Sequence, residues 1–505
     1  MNSLKKMRRA LALVLALAMA LALAGCGQEE VDPKQAVEDA AKATAAAFGE
    51  ISSAFGMDAV SELAAGKSHE ELELYLSDAN VGADISSLYG SGISVAGDSD
   101  MDARQVYADV VIKVADYDLA TIQVAIDDSM LYFGCPELFG DGLFGVNTMT
   151  LSQDFPTSEY SSSGFDAVMD FNVFDLVERY VGANGQFVFS SETMSALSAA
   201  YDTMANASEW AAGDDVDITS GDDTATCQTY TMSIPTEAFG AFFVDTFDAL
   251  LRDDYIALMM ESSLSTTAPG QSYDEFVDSI IADMEASLAE SPEGTVDATF
   301  YVAEEQLRGV EFSMPGADGS SLDGFVFFGA GSNVADRFDM ELTITDADGG
   351  ATPFMSITSE GDHTGESGKF TDATVIDIMG AMTMEINTEW DTGSGAYTVD
   401  AFAEADGVSI DVGMSGTMTI DGSSLDMTID DLTLGSMGMS VTLNGGYRVS
   451  EGEGVTIDTS NARLLKDLTD EDLAALEETV TTNATSMLFG LLAAVPELAG
   501  ALMAA

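Results

Sequence analysis

Apolar and polar side chains alternate along most of the chain, and helical spacing interrupts that alternation at a few places. In QVYADVVIKVAD the side chains of Val106, Ala108, Val110, Ile112 and Val114 fall on one side, and LATIQVAIDDSMLYFG continues with Ile122, Val124 and Ile126. A period of two sends neighbours to opposite sheet faces, so these segments predict half-buried antiparallel strands with one apolar and one wet face. The same period runs through 295–458. ADRFDMELTIT sets Phe338, Met340, Leu342 and Ile344 against Asp339, Glu341, Thr343 and Thr345, while GVSIDVGMSGTMTI places Val408, Ile410, Val412, Met414, Met418 and Ile420 on a single parity. In SLDMTIDDLTL the parity changes between Ile429 and Leu432, which predicts a bulge at Asp430 or Asp431.

Helical spacing appears first after Pro33, where the alanine-rich, proline-free KQAVEDAAKATAAAFGEISSAFG predicts a helix with proline in its first turn. Further helices are predicted over 165–182 and 191–211, and the strand CQTYTMSI stops at Pro235. Phe239, Phe242, Phe243, Phe247, Leu250, Leu251 and Leu258 then recur at helical spacing, which predicts a strongly amphipathic helix. A loop over 262–272 and a helix over 273–290 precede Pro292. Near the end, Thr469 is a plausible N-cap with Asp470, Glu471 and Asp472 in the first turn. Leu473, Leu476, Val480, Met487, Leu488, Leu491 and Val495 follow at helical spacing, and Pro496 and Glu497 interrupt the apolar terminus, which favours a core helix over a membrane segment.

A one-sided meander needs apolar cover on one face. The expected fold class is therefore α+β, with antiparallel one-sided β-meanders, as a curved sheet or half-barrel, packed on amphipathic helices. An N-terminal α+β lobe is expected over 33–235 and a C-terminal lobe over 236–505. The second lobe comprises helices at 236–290, a meander at 295–458 and a helix at 469–495 as its cover.

Charge narrows the partners. The 505 residues include 87 Asp and Glu against 17 Lys and Arg, a formal net charge of -70. Such a surface repels nucleic acid and anionic lipid headgroups, so no nucleic-acid partner is expected. Most carboxylates lack a cationic partner and are solvated or neutralised by cations on an acidic face. The 46 % hydrophobic content still supplies a core, which separates this chain from acidic disordered ones.

At the N-terminus Lys5, Lys6, Arg8 and Arg9 precede an apolar run from Ala10 to Ala24. The run is shorter than the roughly 20 residues that span a bilayer and reads as a secretion leader. Its boundary, Leu23-Ala24-Gly25-Cys26, resembles the lipobox of bacterial lipoproteins. The resemblance implies that residues 1–25 are a signal peptide and that Cys26 is the lipid-attachment residue, acylated on sulfur and first in the mature chain. It also implies a lipidated tether over 26–32 and a protein held at the extracytoplasmic face of the cell membrane. Loss of the four basic residues of the leader would move the formal charge from -70 to -74. The ectodomain looks like large surface lipoproteins of Gram-positive gut bacteria, from which no activity follows. Its order of elements is similar to half-barrel lipid-carrier lipoproteins, whose sheets hold acyl chains.

Catalytic constellations are thin. His69 and His363 are too far apart for a local zinc pair, and neither HExxH nor GxSxG occurs. GDHTGESGKF departs from a phosphate loop at His363 and Phe370 and precedes a strand pattern. Only Trp210 and Trp390 could stack on sugars, which argues against a glycan-active enzyme. In GDSDMDARQVYAD the residues Asp98, Asp100, Asp102 and Asp109 occupy calcium-loop positions, but Ala103 stands where glycine is needed, which favours an acidic hairpin leading into a strand at 105–115. Cys135 and Cys227 are the disulfide candidates of an exported chain, with two free thiols as the alternative in an anaerobic host. No cofactor is expected.

Methionine is the most suggestive feature. Met340, Met414, Met418, Met427, Met437 and Met439 fall on apolar strand faces, and unbranched thioethers repack around variable apolar ligands or fill an irregular core. The function expected is that of a membrane-anchored, non-enzymatic lipoprotein that binds an apolar or lipid-like ligand. A structural or adhesive ectodomain with an acidic face for a surface protein partner is the alternative. Solute capture for a transporter would need βα units that the meander does not supply.

Overall fold

The computed structural model describes residues 32–54, 63, 65–115, 117–154, 170–175, 177, 189–220, 223–253, 256–257, 260, 272–289, 294–316, 319–331, 333–365, 367–405, 407–422 and 424–497. Its first strands are β1 (Lys67–Asn80), β2 (Gly92–Asp100), β3 (Gln105–Val114), β4 (Tyr117–Asp127), β5 (Met130–Gly134) and β6 (Phe144–Asn147). Then come β7 (Glu209–Ser220), β8 (Asp223–Pro235), β9 (Thr295–Ala303), β10 (Gln306–Pro315), β11 (Ser321–Phe328), β12 (Arg337–Thr345) and β13 (Ala351–Glu360). The last are β14 (Lys369–Ile378), β15 (Met382–Asp391), β16 (Ala396–Ala405), β17 (Val408–Ile420), β18 (Ser424–Ser436), β19 (Met439–Glu451) and β20 (Arg463–Leu464). The helices are α1 (Pro33–Ala54), α2 (Pro136–Phe139), α3 (Leu151–Asp154), α4 (Ser191–Ala207), α5 (Thr236–Leu251), α6 (Tyr273–Ala289) and α7 (Asp470–Ala494).

All twenty described strands belong to one hydrogen-bonded sheet, in which the two-residue β20–β6 pairing is parallel and the other registers are antiparallel. This corrects the expected α+β fold class of one-sided meanders packed on helices. A period of two fixes which face is apolar but says nothing about how many strands share a ladder. At the lobe boundary expected at 235, β8 ends at Pro235 and is paired with β9 up to that residue. The two compact units are Met1–Phe55 with Phe189–Gly393 and Ala401–Gly407, and Gly56–Val188 with Ser394–Asp400 and Val408–Ala505.

In the first unit β7 to β15 pair consecutively. The apolar parity of β8–β12 places Met232, Ile234, Val296, Ala298, Val310, Phe312, Leu322, Val326, Met340 and Leu342 in one core with the helices. Phe239, Phe242 and Phe243 of α5, Tyr201 and Met204 of α4, and Ala40 and Ala41 of α1 complete it. Each valine, leucine, isoleucine, methionine or phenylalanine among them contributes about 1.5–3 kcal/mol when fully removed from water. Thr44 ties α1 to β10, donating to the Leu307 carbonyl at 3.0 Å and accepting from the Leu307 N–H at 2.9 Å. α5 ends at Leu251, short of Leu258, and Arg252 beyond it pairs with Asp248 and Asp278. The helix expected to 211 stops at Ala207, where Trp210 turns its ring onto Phe300 at the start of β7. Among the described residues β7 pairs with β8 alone; it bulges between Ala212 and Asp215, and residues 211–217 are exposed.

In the second unit the order is β17–β18–β19–β1–β2–β3–β4–β5–β6, with β20 beside β6. The register shifts between Ile429 and Leu432, at the acidic pair where the parity break predicts a bulge. β18 and β19 are joined by Met437 and Gly438, both at positive φ, as a two-residue hairpin turn requires. α7 starts with the predicted cap: Thr469 Oγ1 accepts from the Asp472 N–H at 3.2 Å, and the Asp472 carboxylate accepts from the Thr469 N–H at 3.0 Å. No residue of α7 is buried, however, and it packs on α2 and β4, not on the 295–458 strands it is expected to cover. Asn483 donates to the Leu138 carbonyl at 3.0 Å, and Gly490 lies so close to the Tyr117 ring that a Cβ would fall 2.4 Å from its hydroxyl. No helix among the described residues is long and apolar enough to cross a membrane.

Candidate functional site

Cross-strand registers turn the alternating pattern of the second unit into one continuous apolar face. One row runs Met418, Met427, Tyr447, Leu72, Val95, Val110, Ile122. Beside it run Met414, Leu432, Leu443 and Leu76, and then Val412, Leu434 and Val441. Between them Leu74, Ile93 and Ile112 continue the face across β1, β2 and β3. Seven strands about 4.8 Å apart and some nine residues long give a face on the order of 900 Å², larger than the roughly 300–600 Å² patch of an ordinary monomer. Leu425, Ile429 and Val449 of this face are buried, most of its other side chains are half-buried, and toward the β18–β19 turn it opens to solvent, with Ile410 50 % and Met439 51 % exposed. Phe489 on α7 adds a second exposed apolar group at 67 %.

The methionines divide between two environments. Met340 is sealed in the helix-covered core of the first unit, whereas Met414, Met418 and Met427 are half-buried on the open face. Met437 sits at the hairpin tip, 71 % exposed, where the turn geometry and not the strand parity places it.

The opposite face of the second unit carries the polar parity. His69 Nδ1 lies 2.8 Å from Asp98, and the hydrogen bond to Asp98 holds the imidazole above its ordinary pKa. Asp100 accepts from the Ala103 N–H at 3.0 Å and pairs with Lys67, and Asp109 accepts from the Tyr107 hydroxyl at 2.8 Å. Asp98, Asp100 and Asp109 are thereby committed to separate partners, and Asp102 lies in the turn between β2 and β3. Among the described residues no group of three metal-ligating side chains forms, and 98–114 is the hairpin of β2 and β3.

The expected disulfide is corrected as well. Cys135 and Cys227 are buried free thiols, one in each unit. Burial pushes Cys227 up to about 11 despite the Arg308 charge, and burial also raises Cys135, whose Sγ lies 3.6 Å from Glu137. A thiol so raised is a poor nucleophile. Cys26 lies outside the described residues, as do most of the 165–182 segment and most of the 262–272 loop.

In the first unit the GDHTGESGKF segment forms the connection between β13 and β14. His363 Nε2 lies 3.0 Å from Asp372 and Nδ1 lies 2.5 Å from the Ala335 carbonyl. Two acceptors facing both ring nitrogens favour the imidazolium, and the Asp372 hydrogen bond holds its pKa above the ordinary value against burial. Burial pushes Asp372 up, but hydrogen bonds from His363, Ser359 and Thr374 bring it below the usual carboxylate range. The Ser359 hydroxyl donates to Asp372 at 2.6 Å and not to the imidazole, so the three residues are not a nucleophilic triad. A neighbouring groove of about 480 Å³ is lined by Arg337, Asp339, Thr358, Ser359, Glu360, Gly361 and Ala373. Its one cation, Arg337, is already held by Asp339 and Glu360.

No family model and no curated protein matches the chain. Among solved structures it is similar to a mutant of Rh. blastica porin at 8 % identity and a TM-score of 0.20, covering 76 % of this chain and 98 % of the porin. It is also similar to Pseudomonas aeruginosa OccK3 (7 % identity, TM-score 0.17, 76 % and 94 % covered) and the P. putida toluene transporter TodX (8 %, 0.10, 78 % and 93 %). Superpositions this loose leave most of the backbone unmatched, and the sheet described above stands on its own hydrogen-bonded registers.

Proposed function

We propose that this chain is a membrane-tethered, extracytoplasmic and non-enzymatic lipoprotein whose second unit binds an apolar, lipid-like ligand. The observation that carries the binding is the continuous face from β17 to β4, left half-exposed where the equivalent parity of the first unit is sealed by helices. Its methionines and branched side chains offer a wall that adapts to a flexible hydrocarbon. The tether follows from the lipobox resemblance at Leu23-Ala24-Gly25-Cys26, and Cys26→Ala is expected to abolish incorporation of a palmitate analogue. The binding is tested by purifying residues 27–505, extracting with organic solvent and searching by mass spectrometry for a stoichiometric apolar molecule. A ligand recovered in one-to-one amount supports the reading. An empty extract combined with no uptake of an added fluorescent lipid overturns it.

A further inference from the structure

The apolar face has one charged end. β1 presents Ser68, Glu70, Leu72, Leu74 and Leu76 on the same side, and its registers set Val449 and Gly97 beside Glu70, and Tyr447 and Val95 beside Leu72. A carboxylate therefore stands in an apolar row. Among the described residues its oxygens meet two hydroxyls, those of Ser68 and Tyr447, each at 3.4 Å. Among the described residues no lysine or arginine pairs with Glu70, whereas Glu71, one residue on and facing the other way, has Arg448 at 3.6 Å. Glu451 follows on the same parity of β19, opposite the buried Ser68, whose hydroxyl is 2.8 Å from that of Ser99. Gly97 contributes no side chain next to Glu70.

We infer that the ligand of this face is a long-chain amphiphile with an ammonium headgroup, its head at Glu70 and its tail along Leu72, Leu74 and Leu76. The inference rests on the reading of the face as an apolar binding surface. A carboxylate among apolar neighbours is costly until a cation or hydrogen-bond donor meets it, and an ammonium head supplies both. An anionic head would face Glu70 and Glu451 together, with the rest of a strongly acidic chain behind them. From Glu70 to Leu76 the strand rises about 20 Å, close to the extended length of a sixteen-carbon chain.

The test is displacement of the neutral dye Nile red from the full chain by hexadecylammonium, hexadecanol and palmitate, below their micelle concentrations and at high salt. Hexadecylammonium is expected to bind at least about tenfold more tightly than palmitate, a difference of about 1.4 kcal/mol. Glu70→Gln should bring the two within about threefold and leave hexadecanol unchanged, while Glu73→Gln, on the opposite face of the same strand, should preserve the preference. Equal or tighter palmitate binding by the unaltered chain overturns the headgroup assignment, as does a preference that survives Glu70→Gln. Binding of none of the three overturns the apolar surface itself, a result distinct from hexadecanol and palmitate binding without discrimination.

Discussion

The two units spend the same strand pattern in opposite ways. In the first, an apolar parity ends in Val310 and Met340, sealed under α4, α5 and α1; in the second, an equally regular parity ends in Ile410 and Met439, half open to solvent. The strands themselves do not make the difference. In the first unit Phe239, Phe242 and Phe243 of α5 form a compact aromatic block, Phe239 and Phe243 lying 4.9 Å apart, which seats on β8 and β9. In the second, the stripe of Leu473, Leu476, Val480, Met487 and Leu491 on α7 lies against α2 and β4 and is only half-buried. Alternation therefore fixes sidedness, and the helices decide whether a side becomes core or surface.

The most damaging way to test that contrast is to truncate an apolar side chain in each unit. Phe242→Ala should destabilise the first unit by about 3–5 kcal/mol, the usual cost of an aromatic cavity, whereas Ile410→Ala should cost less than about 1 kcal/mol because solvent already reaches it. Urea unfolding followed in each unit separately checks this, and comparable losses would erase the distinction between sealed and open faces.

The His363–Asp372 pair sharpens the comparison, because it belongs to the first unit alone. His363 has a folded-state pKa above the unfolded value of about 6.5, so its contribution is fully present below that pH and is lost as pH rises through the raised value. Asp372 has a lowered pKa, so its contribution is present above the unfolded carboxylate value and is lost as pH falls through the folded one. The first unit should then lose stability on alkalinisation from pH 6 to 9 more than the second, where His69 is also raised by Asp98 but is 36 % exposed against 12 % for His363 and so is screened by solvent. In His363→Gln that extra slope should vanish; a slope unchanged by the substitution would contradict the charged pair.

A smaller effect is expected at the cap of α7. Thr469→Ala removes the hydroxyl that accepts from the Asp472 N–H while leaving the backbone bond from Thr469 to the Asp472 carboxylate, and should cost about 1 kcal/mol, read as lost helical ellipticity and a shift confined to the second unit. Added salt should raise the stability of both units modestly by screening the net charge of -70, with the second unit gaining at least as much as the first.

Much of this molecule was legible from its residues. The parity of Phe338 to Ile344, the bulge at Asp430 and Asp431, the phenylalanine stripe of α5 and the Thr469 cap are all local consequences of spacing, and all are seen in the structure. What escaped depends on partners distant in sequence. EWAAGDDVDITS has the composition of an acidic loop, yet it becomes β7 because β8 offers it a ladder. Glu304 and Glu305 make a two-residue hairpin turn at positive φ without the glycine or asparagine that announces one. The joining of twenty strands in one sheet has no local signature, and neither does the separation of Cys135 from Cys227. Glu70 escaped for a related reason: within SHEELELYL it is one carboxylate among several, and only the registers show which of them shares a face with leucines.

The exposed strand β7 also bears on how such chains behave when crowded. An unpaired row of backbone groups is a template on which another copy could add a strand and so begin a fibril. Here the bulge at Gly213 and Asp214 breaks the flatness of that template, and Asp214, Asp215 and Asp217 place negative charge along it. The protection is electrostatic and therefore conditional on ionic strength: salt that screens those three aspartates weakens the repulsion between copies. Colloidal stability at the first unit is thus set by a short acidic strand, independently of how well its core is packed.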